Sequence, residues 1–507
     1  MKPTADKHDH LSTAHLSTDL KAQTIRSTGI TFVAQGLKFI LQLISIAVLA
    51  RLLSPADFGL VAMVTIMTGL LSKFMDGGLS MATIQRQEIT QGQISNLFWI
   101  NVGLGLALTL LTIAVAPALS WVYDESRLTL IGAALSISFL IGGLTVQHTA
   151  LLKRQMQFRA LARIDVISMA SGILAGIASA WAGLGYWSLV ILTLGTTVVH
   201  AGIVWTASAW RPSAPKRGTG VRPLLNFGIN LTGANFIGYL ASNLTPFVVG
   251  LVGGPQQLGF YNRANTLTSI PGSQILPPVM NVAQPALCRV VDEPERFRRG
   301  ALSLMRKVVL VALFITVSMI VMADWIIEIF LGAGWADAAL FFRLLAIFAI
   351  VEPLASVLAM MLIAAGRADV LLKSKVISLA AIIVSCLVGL HWGVVGVIAA
   401  YAISGLLIRT PIFIWFACRC LPFSQSDIYR SLAPFFFIAM SVLGIVSLMR
   451  YMLEVSAPLV NIFITSLLVG AFYFSSLYFF LETRKDAAEI IVTLKSYLRK
   501  TRQNDTR

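Results

Sequence analysis

The feature that most constrains this chain is a series of fourteen long apolar blocks. Each is close to the roughly 20 residues that an α-helix needs to cross the hydrocarbon core of a bilayer. An outer-membrane barrel would instead show alternating polarity in pieces of about ten residues. The sequence therefore predicts an all-α, polytopic integral membrane protein with about 14 transmembrane helices. The predicted spans are 30–53, 57–78, 95–121, 128–150, 164–182, 186–208, 224–252, 256–287, 307–331, 337–364, 370–390, 393–417, 431–452 and 458–481.

Composition excludes the main soluble classes. Of the 507 residues, 57% are apolar and 12% are charged, whereas about a quarter of the residues in a soluble chain are charged. This excludes a water-soluble enzyme and a disordered chain. The net charge of +16 would suggest nucleic acid for a soluble protein, but the basic residues here lie mostly between apolar blocks. We therefore expect no nucleic-acid partner.

The basic residues also predict the topology, because Lys and Arg accumulate in short cytoplasmic loops. Basic clusters at 153–163, 211–222 and 289–307 all fall on the side that holds the N-terminus. The opposite loops are short and nearly free of charge. This pattern indicates that both termini are cytoplasmic and that no outer domain holds an active site. The polar first 29 residues contain no apolar run of the kind found in cleavable signal peptides.

Motifs for metal, cofactor or nucleotide chemistry are missing from the sequence. The four cysteines lie within or at the ends of apolar blocks, so we interpret them as reduced thiols. Cys418 and Cys420 lack CxxC spacing and histidine partners, so no metal site and no cofactor are predicted. There is also no GxxxxGK[ST] motif, which excludes ATP hydrolysis by a P-loop.

A weak internal repeat divides the chain. Pro55-Ala-Asp-Phe-Gly59 follows the first span, and Pro255-Gln-Gln-Leu-Gly259 follows the seventh, 200 positions later. Two further pairs, 151–154 with 361–367 and 185–189 with 393–397, occur in the same order. Because six spans separate the copies, both enter the membrane in one orientation, as in many transporters. We predict two pseudo-repeated six-helix lobes plus two C-terminal helices.

The predicted organisation follows from these spans. It comprises an N-terminal cytoplasmic tail (1–29), an N-lobe (30–208), a basic cytoplasmic linker (209–223), a C-lobe (224–417), helices 13 and 14 (418–481) and a cytoplasmic tail (482–507). The second tail repeats apolar residues at helical spacing beside basic ones. That pattern is typical of an amphipathic helix on the inner membrane surface, or of a helix packed on the protein itself.

Polar residues within the spans are the candidate functional groups, because polar groups in hydrocarbon are costly and usually face a cavity or a partner. They predict a hydrated cavity between the two lobes, and ordinary interhelical hydrogen bonding is the alternative. Such an amide-rich, positive cavity suits an anionic, hydroxyl-rich solute, since Arg pairs with phosphate and amides bind sugar hydroxyls. The predicted cavity residues are Gln35, Lys38, Gln42, Asn230, Asn235, Asn243, Asn262, Arg263, Asn265 and Gln274.

Three carboxylates in the spans are candidates for a coupling or structural role. Glu352 precedes Pro353 deep in span ten, where the proline frees a backbone carbonyl. Asp324 and Glu328 are four residues apart and so share a helix face near the outer end of span nine, where both could simply reach the interface. Arg409, in span twelve, is interpreted as snorkelling to the cytoplasmic surface.

Several motifs resemble one family of membrane transporters. Ala50-Arg-Leu-Leu-Ser-Pro-Ala-Asp-Phe-Gly-Leu-Val61 resembles the opening motif of the bacterial polysaccharide transporters (PST/Wzx-type flippases) of the MOP superfamily, which also contains multidrug exporters. The segments 83–89 and 97–105 are similar to the branch that contains the colanic acid exporter and related exopolysaccharide flippases. The segments 259–264 and 362–367 fit the same branch, and the resemblance covers residues 25–480.

The resemblance implies a flippase with two six-helix lobes around a V-shaped cavity, working by alternating access in the bacterial inner membrane. Its implied substrate is an undecaprenyl-pyrophosphate-linked anionic oligosaccharide repeat unit for exopolysaccharide, capsule or lipopolysaccharide O-antigen synthesis. A polysaccharide polymerase and chain-length machinery are the implied partners. A flippase is not an enzyme, and the resemblance carries no catalytic residues over to this sequence.

Two other functions are alternatives to the flippase. A multidrug or cation antiporter of the same superfamily usually has twelve spans and an acidic or aromatic cavity, so fourteen spans and Arg263 favour the flippase. A membrane glycan polymerase or ligase would need a sizeable outer loop with catalytic groups, and no such loop is present in the sequence.

Overall fold

The computed structural model describes residues 20–75, 79–86, 89–215, 222–452 and 458–479. Regular structure in these ranges consists of helices alone. The predicted tail 482–507, residues 1–19 and linker residues 216–221 lie outside them. The α-helices are α1 (Leu20–Leu52), α2 (Pro55–Met75), α3 (Leu79–Gln85), α4 (Gln91–Tyr123), α5 (Arg127–Arg154), α6 (Phe158–Trp181), α7 (Trp187–Ala207), α8 (Arg222–Cys288), α9 (Pro294–Val321), α10 (Ala323–Leu331), α11 (Ala338–Ala349), α12 (Glu352–Ala364), α13 (Ala368–Gly389), α14 (Gly393–Ser404), α15 (Thr410–Cys418), α16 (Gln425–Met452) and α17 (Pro458–Phe479).

The number of membrane crossings agrees with the sequence. Eleven helical segments of the described chain are long and apolar enough to cross a bilayer. Two of them, Phe236–Cys288 with 53 residues and Ala368–Cys418 with 51 residues, are each long enough for two crossings. With the shorter apolar helix Val460–Tyr473, these segments have room for the fourteen predicted crossings. The prediction of a polytopic all-α membrane protein is confirmed.

Glycines turn the chain inside the two longest segments. Gly254 has a φ of +68° within α8, and Gly393 has the same φ at the start of α14. Residues with a β-carbon rarely adopt this conformation, so glycine suits both turns. These turns separate span seven from span eight and span eleven from span twelve, where the sequence places the breaks.

Another turn, between α4 and α5, holds an ion pair of Arg127 with Glu125 at 2.6 Å, and this bond lowers the pKa of the Glu125 carboxyl.

The chain divides into two compact units, Met1–Gly259 and Phe260–Arg507. In the first unit, α4 packs on α5, and α6 packs on both α1 and α7. The part of α8 that belongs to this unit lies beside α2. Tyr239 donates a hydrogen bond of 2.9 Å to the carbonyl of Ile66, and the rings of Phe74 and Phe236 are 5.6 Å apart.

The two proline-to-glycine motifs of the predicted repeat meet in this first unit. A β-carbon on Gly59 would overlap the carbonyl of Pro255, and a β-carbon on Gly259 would overlap the carbonyl of Pro55. The contact is thus reciprocal, with each glycine receiving the proline carbonyl of the other motif. Only glycine allows both backbones to approach this closely.

A short segment after α7, residues 208–213, lies across the start of α4. Trp210 Nε1 donates to the Gln91 side chain at 2.6 Å, and the Gln91 amide donates to the carbonyl of Arg211 at 2.8 Å. The backbone amide of Ser213 donates to Ser95 Oγ at 3.0 Å, and Trp99 Nε1 donates to the Ser213 carbonyl at 2.9 Å. We call residues 208–213 the strap. These bonds attach the strap to the first unit.

In the second unit, α9 packs against α11, α12, α16 and α17 around an apolar core. Tyr473 of α17 reaches into this core and donates a hydrogen bond of 2.6 Å to the carbonyl of Leu310. Helix α9 begins earlier than predicted, at Pro294, and it ends at Val321 before α10 starts. Predicted span nine, residues 307–331, therefore covers parts of two helices.

Candidate functional site

A cleft of about 330 Å³ opens in the second unit among α12, α13 and α15. Each of the first two helices contributes small side chains at helical spacing along one face. Small residues usually allow membrane helices to pack closely, but here they leave space between the helices. The small residues that line the cleft are Ala355, Ser356 and Ala359 on α12, and Ser374, Ser378 and Ala381 on α13.

Glu352 reaches the cleft because of a break in the helix. α11 ends at Ala349, and α12 begins at Glu352 with Pro353 near its first position. Proline suits the first turn of a helix but cannot continue a preceding one, because it lacks the amide hydrogen. The break places Glu352 near the middle of the 27-residue apolar segment Ala338–Ala364.

The Glu352 carboxylate is open to the cleft. Across the part of the chain that the structure describes, it makes no hydrogen bond and no ion pair. A charged group at this depth in a bilayer is costly, so it is usually kept for a ligand, an ion or a partner. Glu352 is therefore the carboxylate of the cleft that is open to a ligand.

Arg409 is the second charged group that lines the cleft. It closes a π-helical turn, Gly405–Arg409, immediately before α15, and such turns often occur at functional sites. The guanidinium lies 4.3 Å from the centre of the Tyr401 ring and 4.7 Å from that of Phe348, close enough for cation–π attraction to both. Its Nη2 donates a hydrogen bond of 2.8 Å to the carbonyl of Tyr401. Arg409 therefore does not snorkel, in contrast to the interpretation of its sequence position.

The guanidinium of Arg409 keeps hydrogen-bonding capacity for a ligand. Within the described ranges it makes a single hydrogen bond, from Nη2 to the carbonyl of Tyr401, and the side chain lines the cleft. Lys375 of α13 is exposed and lines the same cleft, and it forms no ion pair within those ranges either. The cleft thus combines two cations and one carboxylate with the hydroxyls of Ser356 and Ser378. This set of groups complements an anion that carries hydroxyls.

All six predicted cavity residues of the first unit lie on α1 or α8. Lys38 forms an ion pair of 3.0 Å with Asp165 of α6, and both side chains are partly exposed. Gln35 and Gln42 are exposed on the same helix as Lys38. Asn243 donates a hydrogen bond of 3.0 Å to the carbonyl of its helix neighbour Tyr239. The side chains of Asn230 and Asn235 are not among those that the structure describes.

The predicted residues of the second unit fall into separate groups. Asn262 accepts a hydrogen bond of 3.0 Å from Arg263, whereas Asn265 is exposed and Gln274 is half-buried. Asp324 forms an ion pair with Arg343 of α11. Glu328 is exposed at the surface of α10. Of the three candidate carboxylates, the structure places only Glu352 in the cleft, and the predicted cavity of spans one, seven and eight remains a prediction.

No group of three His, Cys, Asp or Glu residues that could hold a metal ion occurs in the described ranges. All four cysteines are free thiols.

Comparison with known families identifies the chain. The profile of a family described as "Polysaccharide biosynthesis protein" matches residues 48–340, which is more than half of the chain. The chain belongs to this polysaccharide biosynthesis family. The match ends before Phe348, the first residue that lines the cleft, so the match does not itself assign the cleft.

Two relatives extend the comparison of this family member. Over 363 residues the chain is 24% identical to the lipopolysaccharide biosynthesis protein WzxC of Escherichia coli (strain K12), covering 70% of this chain and 73% of the relative. It is 27% identical to the succinoglycan biosynthesis transport protein ExoT of Rhizobium meliloti (strain 1021), covering 63% of this chain and 65% of the relative. The resemblance predicted from the sequence motifs is confirmed.

The fold of this polysaccharide biosynthesis protein also occurs among solved structures. An inward closed conformation of the lipid II flippase MurJ matches with a TM-score of 0.68, covering 89% of this chain and 98% of that chain. The identity is 14%, so this likeness concerns the fold alone. The polysaccharide biosynthesis protein therefore shares the fold of that solved structure.

Sequence reasoning missed several residues of the cleft and one ion pair. Lys375 is not among the predicted cavity residues, although Ser374 and Ser378 lie beside it at helical spacing in span eleven. That polar face was the available signal. Asp165 was missed as the partner of Lys38, because 127 residues separate the two and their pairing depends on the packing of α1 on α6.

Proposed function

We propose that the protein is a flippase that moves a lipid-linked oligosaccharide repeat unit from the cytoplasmic to the outer leaflet of the inner membrane. It belongs to a polysaccharide biosynthesis family, and one of its relatives is named a transport protein. The family match in a chain with eleven long apolar helical segments in its described part is the observation that carries this proposal.

The mechanism follows from the chemistry of such a substrate. Its sugars and phosphates need a polar route through the bilayer, whereas its polyprenyl chain can stay in lipid. The predicted cavity residues of spans one, seven and eight would line that route by alternating access, and the cleft of the second unit would bind part of the glycan. No covalent bond is made or broken, so the protein acts as a carrier and not as an enzyme.

A multidrug or cation antiporter remains the second candidate, because drug exporters occur in the same superfamily. The groups of the cleft favour the flippase. Two cations, Lys375 and Arg409, line it together with the single carboxylate of Glu352, and this excess of positive charge suits an anion. A cationic drug would meet net repulsion in the same place.

The orientation and partners belong to the same proposal. Both termini lie in the cytoplasm, as the positive loops predict. Once it is in the outer leaflet, the repeat unit passes to a polysaccharide polymerase and its chain-length machinery. Reporter fusions at each terminus test the orientation. A periplasmic reporter should be inactive at both ends, and activity at either end would refute this topology.

A gene deletion tests the function in the host cell. Surface polysaccharide should disappear while lipid-linked repeat units accumulate in the inner leaflet, because synthesis continues and translocation stops. Complementation with the wild-type gene should reverse both effects. Normal polysaccharide together with raised sensitivity to cationic drugs would support the antiporter and contradict the flippase.

A further inference from the structure

The cleft in the second unit has properties that go beyond a general polar route. Its three charged groups lie on three different elements: Glu352 on α12, Lys375 on α13 and Arg409 at the turn before α15. Among the described residues these charges do not form ion pairs with one another. An arrangement that holds opposite charges around an open space without pairing them leaves each of them available to a ligand.

We propose that the cleft binds a single acidic sugar of the repeat unit, one that carries a carboxylate, and so selects among glycans. This inference rests on the proposed function. Arg409 and Lys375 bind the carboxylate, and Glu352 accepts hydrogen bonds from ring hydroxyls. The apolar side chains of Phe348 and Phe413, which also line the cleft, pack on the carbon face of the ring.

The fixed position of Arg409 supports this assignment. Its guanidinium is held between two rings and by the Tyr401 carbonyl, so little side-chain freedom is lost when an anion binds. A pre-oriented guanidinium forms charge-assisted bonds to carboxylates in a geometry that a flexible lysine does not match. Arg409 therefore determines the charge preference, and Lys375 at the exposed side of the cleft adds to it.

The size of the cleft limits what it can hold. A volume of about 330 Å³ lies at the small end of ligand pockets, which span roughly 300–1,000 Å³. It has room for a single sugar and not for a whole repeat unit. A bare inorganic anion would leave the apolar walls without contact, so the combination of walls, hydroxyls and cations fits a sugar acid better.

Binding of simple sugars to the full-length protein in detergent tests this assignment. The probes are methyl glucuronide and its neutral match, methyl glucoside, measured by saturation-transfer NMR and competition. Wild-type protein should prefer the glucuronide by about tenfold or more, because a hydrogen bond to a charged group contributes more than a neutral one. Equal affinity for the two sugars would overturn the proposal.

Matched variants locate the preference. Arg409→Gln and Lys375→Gln should each reduce glucuronide affinity severalfold and leave glucoside affinity unchanged. Arg419→Gln removes the same charge from an arginine that stacks on Trp415 outside the cleft, and it should change neither. If Arg419→Gln has the same effect as Arg409→Gln, the preference comes from overall charge and the cleft is not the site.

A cleft-filling variant separates binding in the cleft from binding elsewhere. Ala359→Leu places a larger side chain on the α12 wall, so both sugars should lose affinity if they occupy this space. Unchanged binding in this variant would overturn the assignment even if the charge preference were real.

A translocation assay distinguishes a cleft that does not select acidic sugars from a protein that is not a flippase. Liposomes that contain the protein and a short-chain lipid-linked oligosaccharide report translocation without reference to sugar charge. Translocation of acidic and neutral glycans at equal rates refutes the selective cleft and leaves the flippase intact. Glucuronide binding without any translocation refutes the flippase and leaves the site.

Discussion

At the scale of single residues, Glu352 offers a clean test, because the structure gives it no bond that a substitution would break. Glu352→Gln keeps the shape of the side chain and removes its charge. We expect polysaccharide export to fall at least severalfold while the amount of folded protein in the membrane stays constant. Export is measured as surface polysaccharide in the deletion strain that carries the variant.

The control for this variant is Glu328→Gln. Glu328 is an exposed carboxylate on α10 in the same unit, outside the residues that line the cleft. Its substitution should leave export unchanged. Equal loss of export in both variants, or normal export with Glu352→Gln, would remove Glu352 from the transport site.

Lys38 and Asp165 form the ion pair that the sequence did not predict. Both side chains are at least a third exposed, so the pair should contribute only about 0.2–1 kcal/mol. Lys38→Gln and Asp165→Asn should each lower the thermal midpoint slightly, and the double variant should lose less than the sum of the two. Additive losses in this double-mutant cycle would show that the pair does not stabilise the packing of α1 on α6.

At the scale of helices, the reciprocal contact of the two repeat motifs predicts a strict need for glycine. Gly59→Ala forces a β-carbon into the carbonyl of Pro255, so the backbones of α2 and α8 must separate. We expect a loss of about 1–3 kcal/mol or more, seen as a lower thermal midpoint of the purified protein. Gly259→Ala should have the same effect, since the contact is mutual.

Gly103→Ala is the matched control for this prediction. A β-carbon at Gly103 in α4 would have no atom within 4 Å, and alanine favours the helix over glycine by roughly 1 kcal/mol. This variant should be as stable as the wild type or slightly more stable. A Gly59→Ala protein with unchanged stability would contradict the close crossing of the two motifs.

The strap gives a second prediction at the same scale. Ser95→Ala removes the oxygen that accepts the Ser213 amide, so hydrogen exchange in a peptide covering 208–215 should become faster. Ser72→Ala removes a hydroxyl that bonds only within its own helix, and exchange in the strap should stay slow. Fast exchange in the wild-type strap would show that the strap is not attached to the first unit.

At the scale of the whole molecule, the apolar spans were predictable because they depend on local patterns. Apolar length alone identifies a crossing, whereas the two related halves that the paired motifs at Pro55 and Pro255 indicate stay a prediction. The cleft was not predictable in the same way. It requires α12, α13 and α15 to leave a gap, and gaps depend on packing between residues that are distant in the chain.

Individual charged residues show the same limit. The sequence places Glu352 deep in the membrane, because it lies near the middle of span ten, and Pro353 indicates a helix break beside it. It gives the wrong surroundings for Arg409, because the cation–π contacts with Phe348 and Tyr401 depend on a π-helical turn that has no simple sequence signal. Pairing of Asp324 with Arg343 likewise follows from the packing of α10 on α11.

The central claim is that this chain carries a lipid-linked glycan across a bilayer by itself. The most direct measurement uses purified protein in liposomes that contain a lipid-linked oligosaccharide with a terminal acidic sugar. A glycosidase added outside then reports which leaflet the glycan occupies. We predict that almost all of the glycan becomes accessible with wild-type protein and that only the outer-leaflet share is accessible without it. Equal accessibility in protein-containing and protein-free liposomes, with the protein correctly folded, would contradict the account.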